Sequence, residues 1–331
     1  MWVTPCGFES RPEHHLRPPQ GGFSLLGFAV AKKSGFAENI EYVALRLACG
    51  IVNAIPYALA MAIASSVAYL AVHVLRFKRA RTMERISSVF PEMDEAARLR
   101  IATRSLANVL QTAAEMIRAP RLSRKWMDDH VLDGRLYKDR LQAYVDEGKG
   151  VVIMVPHSGN WYMAAWSMAA YGLPLFAIAA RQRNSKIDAW MKRQYGAIEV
   201  LERGSARTLV EIREKLLAGR AFAILPDLRV PQPDVEVDFL GGKANVSHAG
   251  AMFAVKCGSP IVVAVMRREG GRHVFDHVGT LRPDPAAKDK RAEAERLTRE
   301  AMKMLDGRIK AHPEHWYWYN KRWILQPVAK R

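Results

Sequence analysis

Gly148-Lys149-Gly150-Val151-Val152-Ile153-Met154-Val155-Pro156-His157-Ser158-Gly159-Asn160-Trp161-Tyr162 is the stretch on which the fold turns. Its apolar run from Val151 to Val155 is mostly β-branched and stands between a glycine stop and a proline. It is of strand length and has no polar alternation, which is the pattern of a strand buried on both faces. The same pattern recurs downstream. Leu173 to Ala179 follows a helical stretch from Met163 to Ala170, and Ala197 to Leu201 follows one from Ser185 to Tyr195. Ala221 to Leu225 follows Ala206 to Leu217, and Pro260 to Met266 follows His248 to Cys257. Strands alternating with helices of about 10–15 residues predict an α/β fold, with a mostly parallel central sheet flanked by helices. Upstream, Asp94 to about Ala119 reads as a helix with acids in its first turn, Arg118 near its end and Pro120 closing it. A short helical pattern covers Leu141 to Glu147.

Ligands of such sheets bind beyond the carboxyl ends of the strands. His157 stands there, with small residues after it and a helix starting beside it. A neutral imidazole can take a proton from an alcohol near pH 7. The free N–H groups of the helix start, near Gly159 and Asn160, could hold an anion or a developing oxyanion. Ser158 is a poor nucleophile candidate, because Ser-Gly-Asn-Trp lacks the glycine frame of a nucleophile elbow.

The 331 residues are 49% apolar and 25% charged, enough for a substantial core and unlike a disordered chain. The net charge of +17 concerns partners: nucleic acid, anionic lipid or an acidic carrier protein. No nucleic-acid-binding motif is present, so that class is set aside. Three widely separated cysteines, Cys6, Cys49 and Cys257, speak against a disulfide scaffold and a zinc ribbon.

Leu47 to Leu75 carries no Asp, Glu, Lys or Arg over 29 residues. A hydrocarbon core of about 30 Å takes about 20 apolar residues. The segment is therefore expected to be an N-terminal apolar membrane helix, spanning the bilayer or embedded deep in its interface. Arg76, Lys78, Arg79, Arg81 and Arg85 follow at once. They would pair with anionic head groups and place the C-terminal bulk on the cytoplasmic side. Residues 1–37, rich in Pro, Gly and His at their start, are expected to be a disordered or mis-called N-terminal extension without the usual signal-peptide form. Residues 38–82 make the membrane-associated region and 83–331 the α/β domain.

His157-Ser158-Gly159-Asn160-Trp161 resembles the catalytic segment of the bacterial late lipid A acyltransferase family. That family belongs to the lysophospholipid acyltransferase superfamily and includes phosphatidylinositol mannoside acyltransferases. The resemblance runs over about 40–325. It is carried further by Phe90-Pro91-Glu92, by Glu115 to Pro120, by Arg181 and Asn184 after the second strand, and by Leu225-Pro226-Asp227 after the fourth. His312-Pro313-Glu314-His315-Trp316-Tyr317-Trp318 with Lys321-Arg322-Trp323 resembles the closing signature. The order of these motifs makes the resemblance specific.

The resemblance implies transfer of an acyl group from acyl-carrier protein or acyl-CoA to a hydroxyl of a membrane glycolipid. A lipid A precursor is the first acceptor and a phosphatidylinositol mannoside or other lipid the second. The expected place is the cytoplasmic face of the inner membrane. No metal or bound organic cofactor is expected; the partners are acyl-carrier protein and anionic lipid, and the chain is expected to act as a monomer. The family motif is a His followed, after four intervening residues, by an Asp or Glu that orients it. Here that position is Tyr162, which cannot supply a negative charge at pH 7. Three readings stay open. Asp227, at another strand end, supplies the carboxylate; or His157 works with Tyr162 or a backbone carbonyl alone; or the chain is a non-catalytic, lipid-binding relative. For Asp227 the structural alternative is a helix cap or an ion pair with Arg229. Arg181 and Arg183 resemble the family's phosphate- or pantetheine-facing basic residue, and Gly159, Asn160 and Trp161 complete the expected substrate-binding set. Gly241 and Gly242 would let an acyl chain approach closely, and His248 reads as local packing. Trp316 to Tyr319 and Trp323, among Lys321 and Arg322, would lie at the lipid interface or dock on the core.

Overall fold

The computed structural model describes residues 35–204 and 206–327. The N-terminal extension expected over 1–37, with Cys6, lies almost wholly outside the described residues. Along the chain run α1 (Gly35–Ala54), α2 (Tyr57–His73), α3 (Arg79–Val89), α4 (Glu95–Arg118), α5 (Arg124–His130), β1 (Val131–Leu132) and α6 (Gly134–Tyr144). They are followed by β2 (Val151–Met154), α7 (Trp161–Ala170), β3 (Leu175–Ala179), α8 (Ser185–Gln194), β4 (Glu199–Glu202), α9 (Ala206–Leu217) and β5 (Ala221–Ile224). Last come β6 (Val235–Phe239), β7 (Gly242–Val246), α10 (Ala249–Cys257), β8 (Ile261–Glu269), β9 (Arg272–Leu281) and α11 (Lys290–Ala311).

The central sheet has the order β1-β9-β8-β2-β5-β3-β4. All its pairs are parallel except the β8–β9 hairpin. β2 lies near the middle and shows why its sequence lacks alternation. Val151 and Ile153 pack with residues of α6 and α7, and Val152 and Met154 pack with residues of α9, α10 and α11. A strand covered on both sides has no polar face. β6 and β7 form a separate antiparallel ribbon.

The apolar segment 47–75 departs from expectation. Among the described residues no helix is long and apolar enough to cross a membrane. Pro56 divides the segment, because proline has no N–H and its ring clashes with the preceding turn. The Arg118 guanidinium closes α1 by donating to the carbonyls of Val52 (2.5 Å) and Ile55 (2.8 Å). α2 then buries a strip of small side chains, Ala60, Ala64, Ala68 and Val72, spaced by four residues as one helix face requires. α2 lies along α4. The large apolar residues point outward. Phe36, Ile40, Val43, Leu47 and Ile51 on α1, with Leu59, Ile63, Val67 and Leu70 on α2, are 44–75% exposed.

Candidate active site

β2 and β5 are neighbours in parallel register, with Met154 opposite Ile224. Adjacent strands lie about 4.8 Å apart. His157 and Asp227 each come three residues after those paired ends. The register therefore carries the two side chains to one place. His157 Nδ1 lies 2.8 Å from Asp227 Oδ1. Asp227 Oδ2 accepts the backbone N–H of His157 at 2.7 Å and the indole N–H of Trp316 at 2.8 Å. A carboxylate that accepts from Nδ1–H fixes the tautomer with the lone pair on Nε2. Burial alone would raise the Asp227 pKa. The His157 charge and the hydrogen bonds from His157 and Trp316 outweigh it, and the carboxyl sits below its ordinary 3.8. It is ionised wherever an imidazole base is useful.

Of the three readings of the missing motif acid, the geometry puts a carboxylate on His157 and takes Tyr162 away. The Tyr162 hydroxyl donates to the Gln194 carbonyl, and its side chain is buried among α7 and α8. Burial pushes its phenol pKa well up. Arg229 donates to the carbonyls of Gln326 and Pro327, both at 2.6 Å, so it is not bound to Asp227.

The segment 157–160 is clamped from both sides. On one side Gly159 N–H donates to His315 O (2.9 Å) and Tyr317 N–H to His157 O (3.0 Å), which makes an antiparallel bridge between Ser158 and Trp316. On the other side Gly159 bridges Met266 of β8 in parallel. Gly159 has φ +57°, and a Cβ there would stand 1.7 Å from Met266 O, so no other residue fits. The expectation that the Gly159 N–H serves an oxyanion is corrected: its donor is spent on His315. Asn160 as a substrate-binding side chain is corrected too. It is fully buried, its Oδ1 accepts from Met163 N–H at 2.8 Å to cap α7, and its amide donates to Glu115. Trp161 does stand beside the imidazole, ring centroids 5.2 Å apart in an edge-on arrangement.

The C-terminal aromatic cluster docks on the core and not on lipid, since Trp316, Trp318 and Tyr319 are at most 3% exposed. Trp316, expected at the lipid interface or docked on the core, is a direct partner of Asp227. No periodicity marks it, because its place depends on the short bridge to Ser158. Arg85 also turns inward. It donates to the carbonyls of Trp318 (2.8 Å) and Asn320 (2.7 Å) and lies over the Trp323 ring, which removes it from the expected head-group set.

Arg181 and Arg183 are exposed on the loop after β3. β5 stands between β3 and β2, so the two arginines lie two strands, about 10 Å, from the strand that carries His157. The structure places them at the same edge of the sheet and not on the imidazole. Leu240 and Gly241 are the two-residue turn of the β6–β7 ribbon, both at positive φ. Leu240 is buried, and its N–H donates to Asp306 of α11 at 2.6 Å. That turn closes the ribbon. His248 pairs with Asp234, a local contact as expected.

For a metal, the group in reach among the described residues is His312, Glu314 and His315, whose donor atoms lie within 4.8 Å of one another. Burial, with His312, Arg268 and Arg267 nearby, holds the His315 imidazole below its usual pKa. The chemistry proposed below routes no step through this group.

Fold and site together define an α/β protein with a strand-end His–carboxylate pair and an apolar helix pair on its flank. The family model of the bacterial lipid A biosynthesis acyltransferases matches residues 39–324, and the chain belongs to that family. It is 26% identical over 201 residues to the phosphatidylinositol mannoside acyltransferase of Mycolicibacterium smegmatis, covering 58% of this chain and 63% of that protein. It is also 26% identical over 227 residues to the protein of that name in Mycobacterium tuberculosis H37Rv, covering 66% and 68%. The chain thus spans about two thirds of the length of the curated relatives it matches.

Proposed function

We propose that the chain is an acyltransferase that moves a fatty acyl group from acyl-carrier protein or acyl-CoA to a hydroxyl of a membrane glycolipid. The observation that carries this reading is the His157–Asp227 pair at the carboxyl edge of the sheet. His157 Nε2 takes the proton of the acceptor hydroxyl, and Asp227 steadies the imidazolium that forms. The oxygen attacks the thioester carbonyl, the new C–O bond forms, and a tetrahedral oxyanion results. Collapse breaks the C–S bond, and the imidazolium returns its proton to the leaving thiolate. With Gly159 occupied, the oxyanion donors are the first N–H groups of α7, at Trp161 and Tyr162, which helix geometry leaves without an intrahelical acceptor. The thioester donor brings its own pantetheine arm, so no resident cofactor is called for.

The acceptor class, a sugar-bearing lipid with anionic groups, is supported by the family and by the names of the two relatives. A lipid A precursor and a phosphatidylinositol mannoside are the two acceptors to compare, the second favoured by those names. The test is purified protein with labelled acyl-carrier protein or acyl-CoA and each acceptor in vesicles. Label in one lipid is the expected result; no label in either, with both donors, overturns the reading.

The reading for α1 and α2 is embedding in the membrane interface, since among the described residues no helix is long and apolar enough to cross. Large apolar side chains of α1 and α2 stand exposed on one outer face, as at membrane or protein contacts, and Arg76, Lys78, Arg79 and Arg81 follow it in sequence. The place is the cytoplasmic face of the inner membrane, where such thioesters are made. Replacing Leu47 and Ile51, 65% and 63% exposed, by Ser is expected to weaken binding to anionic vesicles about 100-fold, since each burial contributes about 1.5 kcal/mol. Vesicle sedimentation reads the change; unaltered binding excludes this face as the contact.

A further inference from the structure

One buried carboxylate outside the His157–Asp227 pair collects more donors than any structural ion pair needs. Glu115, near the end of α4, is fully buried. It takes the Arg268 guanidinium two-pronged, both contacts at 2.8 Å, and His273 Nε2 at 3.0 Å. It also accepts the hydroxyl of Tyr57 at 2.5 Å and the side-chain amide of Asn160. Burial would raise its pKa, but the His273 and Arg268 charges and their hydrogen bonds hold it far below the carboxylate range. It is a fixed negative charge.

The other end of the Asn160 contact is the active-site loop. Asn160 follows Gly159 and opens α7, its Oδ1 accepting from Met163 N–H. An amide has one donor end and one acceptor end. A carboxylate at the donor end therefore fixes which way Asn160 faces, and with it where the loop passes into the helix. One helical turn before Glu115, Thr112 donates to the carbonyl of Gly159 at 3.3 Å. Two turns further back Ser105 donates to the carbonyl of Trp316 at 2.5 Å, and Trp316 holds Asp227. Ser105, Thr112 and Glu115 share one face of α4. Tyr57 stands at the first turn of α2, whose outer face is the exposed apolar one.

We propose that Glu115 is a positioning residue: through Asn160 it sets the loop that carries His157, and through Tyr57 it ties that loop to the apolar helix pair. The inference rests on His157 being the base. A loop displaced by as little as 1 Å costs about 100-fold in rate. Such an effect falls on kcat.

The test measures kcat and KM for donor and acceptor in vesicles, per folded molecule, for Glu115→Gln, Asn160→Ser, the double variant, Tyr57→Phe and His157→Ala. Asn160→Ser keeps an oxygen to cap α7 and removes only the link to Glu115, so it reports even where Glu115→Gln does not fold. Expected are kcat about 10-fold down or more for Asn160→Ser and further down for Glu115→Gln, with KM within about twofold. The double variant should be no slower than the slower single one, since the two share one interaction. Tyr57→Phe should show a smaller loss of kcat. A purely structural role would lower the unfolding midpoint and leave kcat per folded molecule alone. If Asn160→Ser turns over like the unaltered protein while His157→Ala is inactive, this inference fails and the active-site reading stands. If His157→Ala turns over normally, the active-site reading itself fails.

Discussion

Asp227→Asn is expected to lower acyl-transfer turnover by about 10⁴ while the fold stays intact. The argument is one of tautomers. In the present geometry Asp227 Oδ1 accepts a hydrogen bond from His157 Nδ1–H, and Oδ2 accepts the His157 backbone N–H and the Trp316 indole N–H. Asparagine has the same shape but only one acceptor oxygen. Two of the three donors, the backbone N–H and the indole, converge on one oxygen and hold the asparagine carbonyl there. Its NH₂ then points at Nδ1, which must turn acceptor and send the proton to Nε2. The nitrogen facing the substrate has then lost its lone pair, and the imidazolium has lost its counter-charge. Circular dichroism should match that of the unaltered protein, and steady-state turnover at saturating donor and acceptor should not. Turnover within tenfold of normal would show that Asp227 does not govern the base.

The second large effect is at Gly159. Alanine there meets backbone, not a flexible side chain: its Cβ would stand 1.7 Å from Met266 O and 3.0 Å from Arg267 Cα. It must also sit at φ +57°, which adds about 1–2 kcal/mol. The loop has to leave β8, and its hydrogen bond to His315 O goes with it. A destabilisation of about 3 kcal/mol or more is expected, with transfer lost even at temperatures where the variant is still folded. Urea unfolding and turnover, measured on the same preparation, check both halves. A variant with unaltered midpoint and turnover would mean that the 157–160 segment is not held as described.

The sequence showed the parts of this molecule that are local. β2 was legible because a strand covered on both faces must be uniformly apolar, and His157 because it follows that strand directly. Most of these boundaries moved by a residue or two, β3 starting at Leu175 and not at Leu173, but α6 starts at Gly134 and not at Leu141, and β8 runs on to Glu269. The partner of the imidazole was harder. Asp227 reaches His157 only because β5 lies next to β2 in register, and nothing local in sequence states which strands are neighbours. Tyr162, by contrast, drew attention through its sequence distance from His157, although α7 turns its ring toward Gln194. The apolar segment misled for a related reason. Hydropathy counts Ala60, Ala64 and Ala68 as lipid-facing, whereas their spacing lets α4 approach and leaves the larger neighbours outside. Trp316 and Glu115 stand in motifs, but their roles depend on long-range contacts, to Asp227 and to five donor atoms from three other elements and a loop, which no local pattern states.

The central claim is that the lone pair of His157 Nε2 starts acyl transfer. The most direct measurement compares unaltered protein with His157→Ala under identical conditions, in glycolipid-containing vesicles supplied with labelled acyl thioester. Label should pass to the lipid with the histidine present and fall to the rate of the protein-free control with alanine, while thermal unfolding stays cooperative in both. Equal labelling by the two proteins would contradict the account.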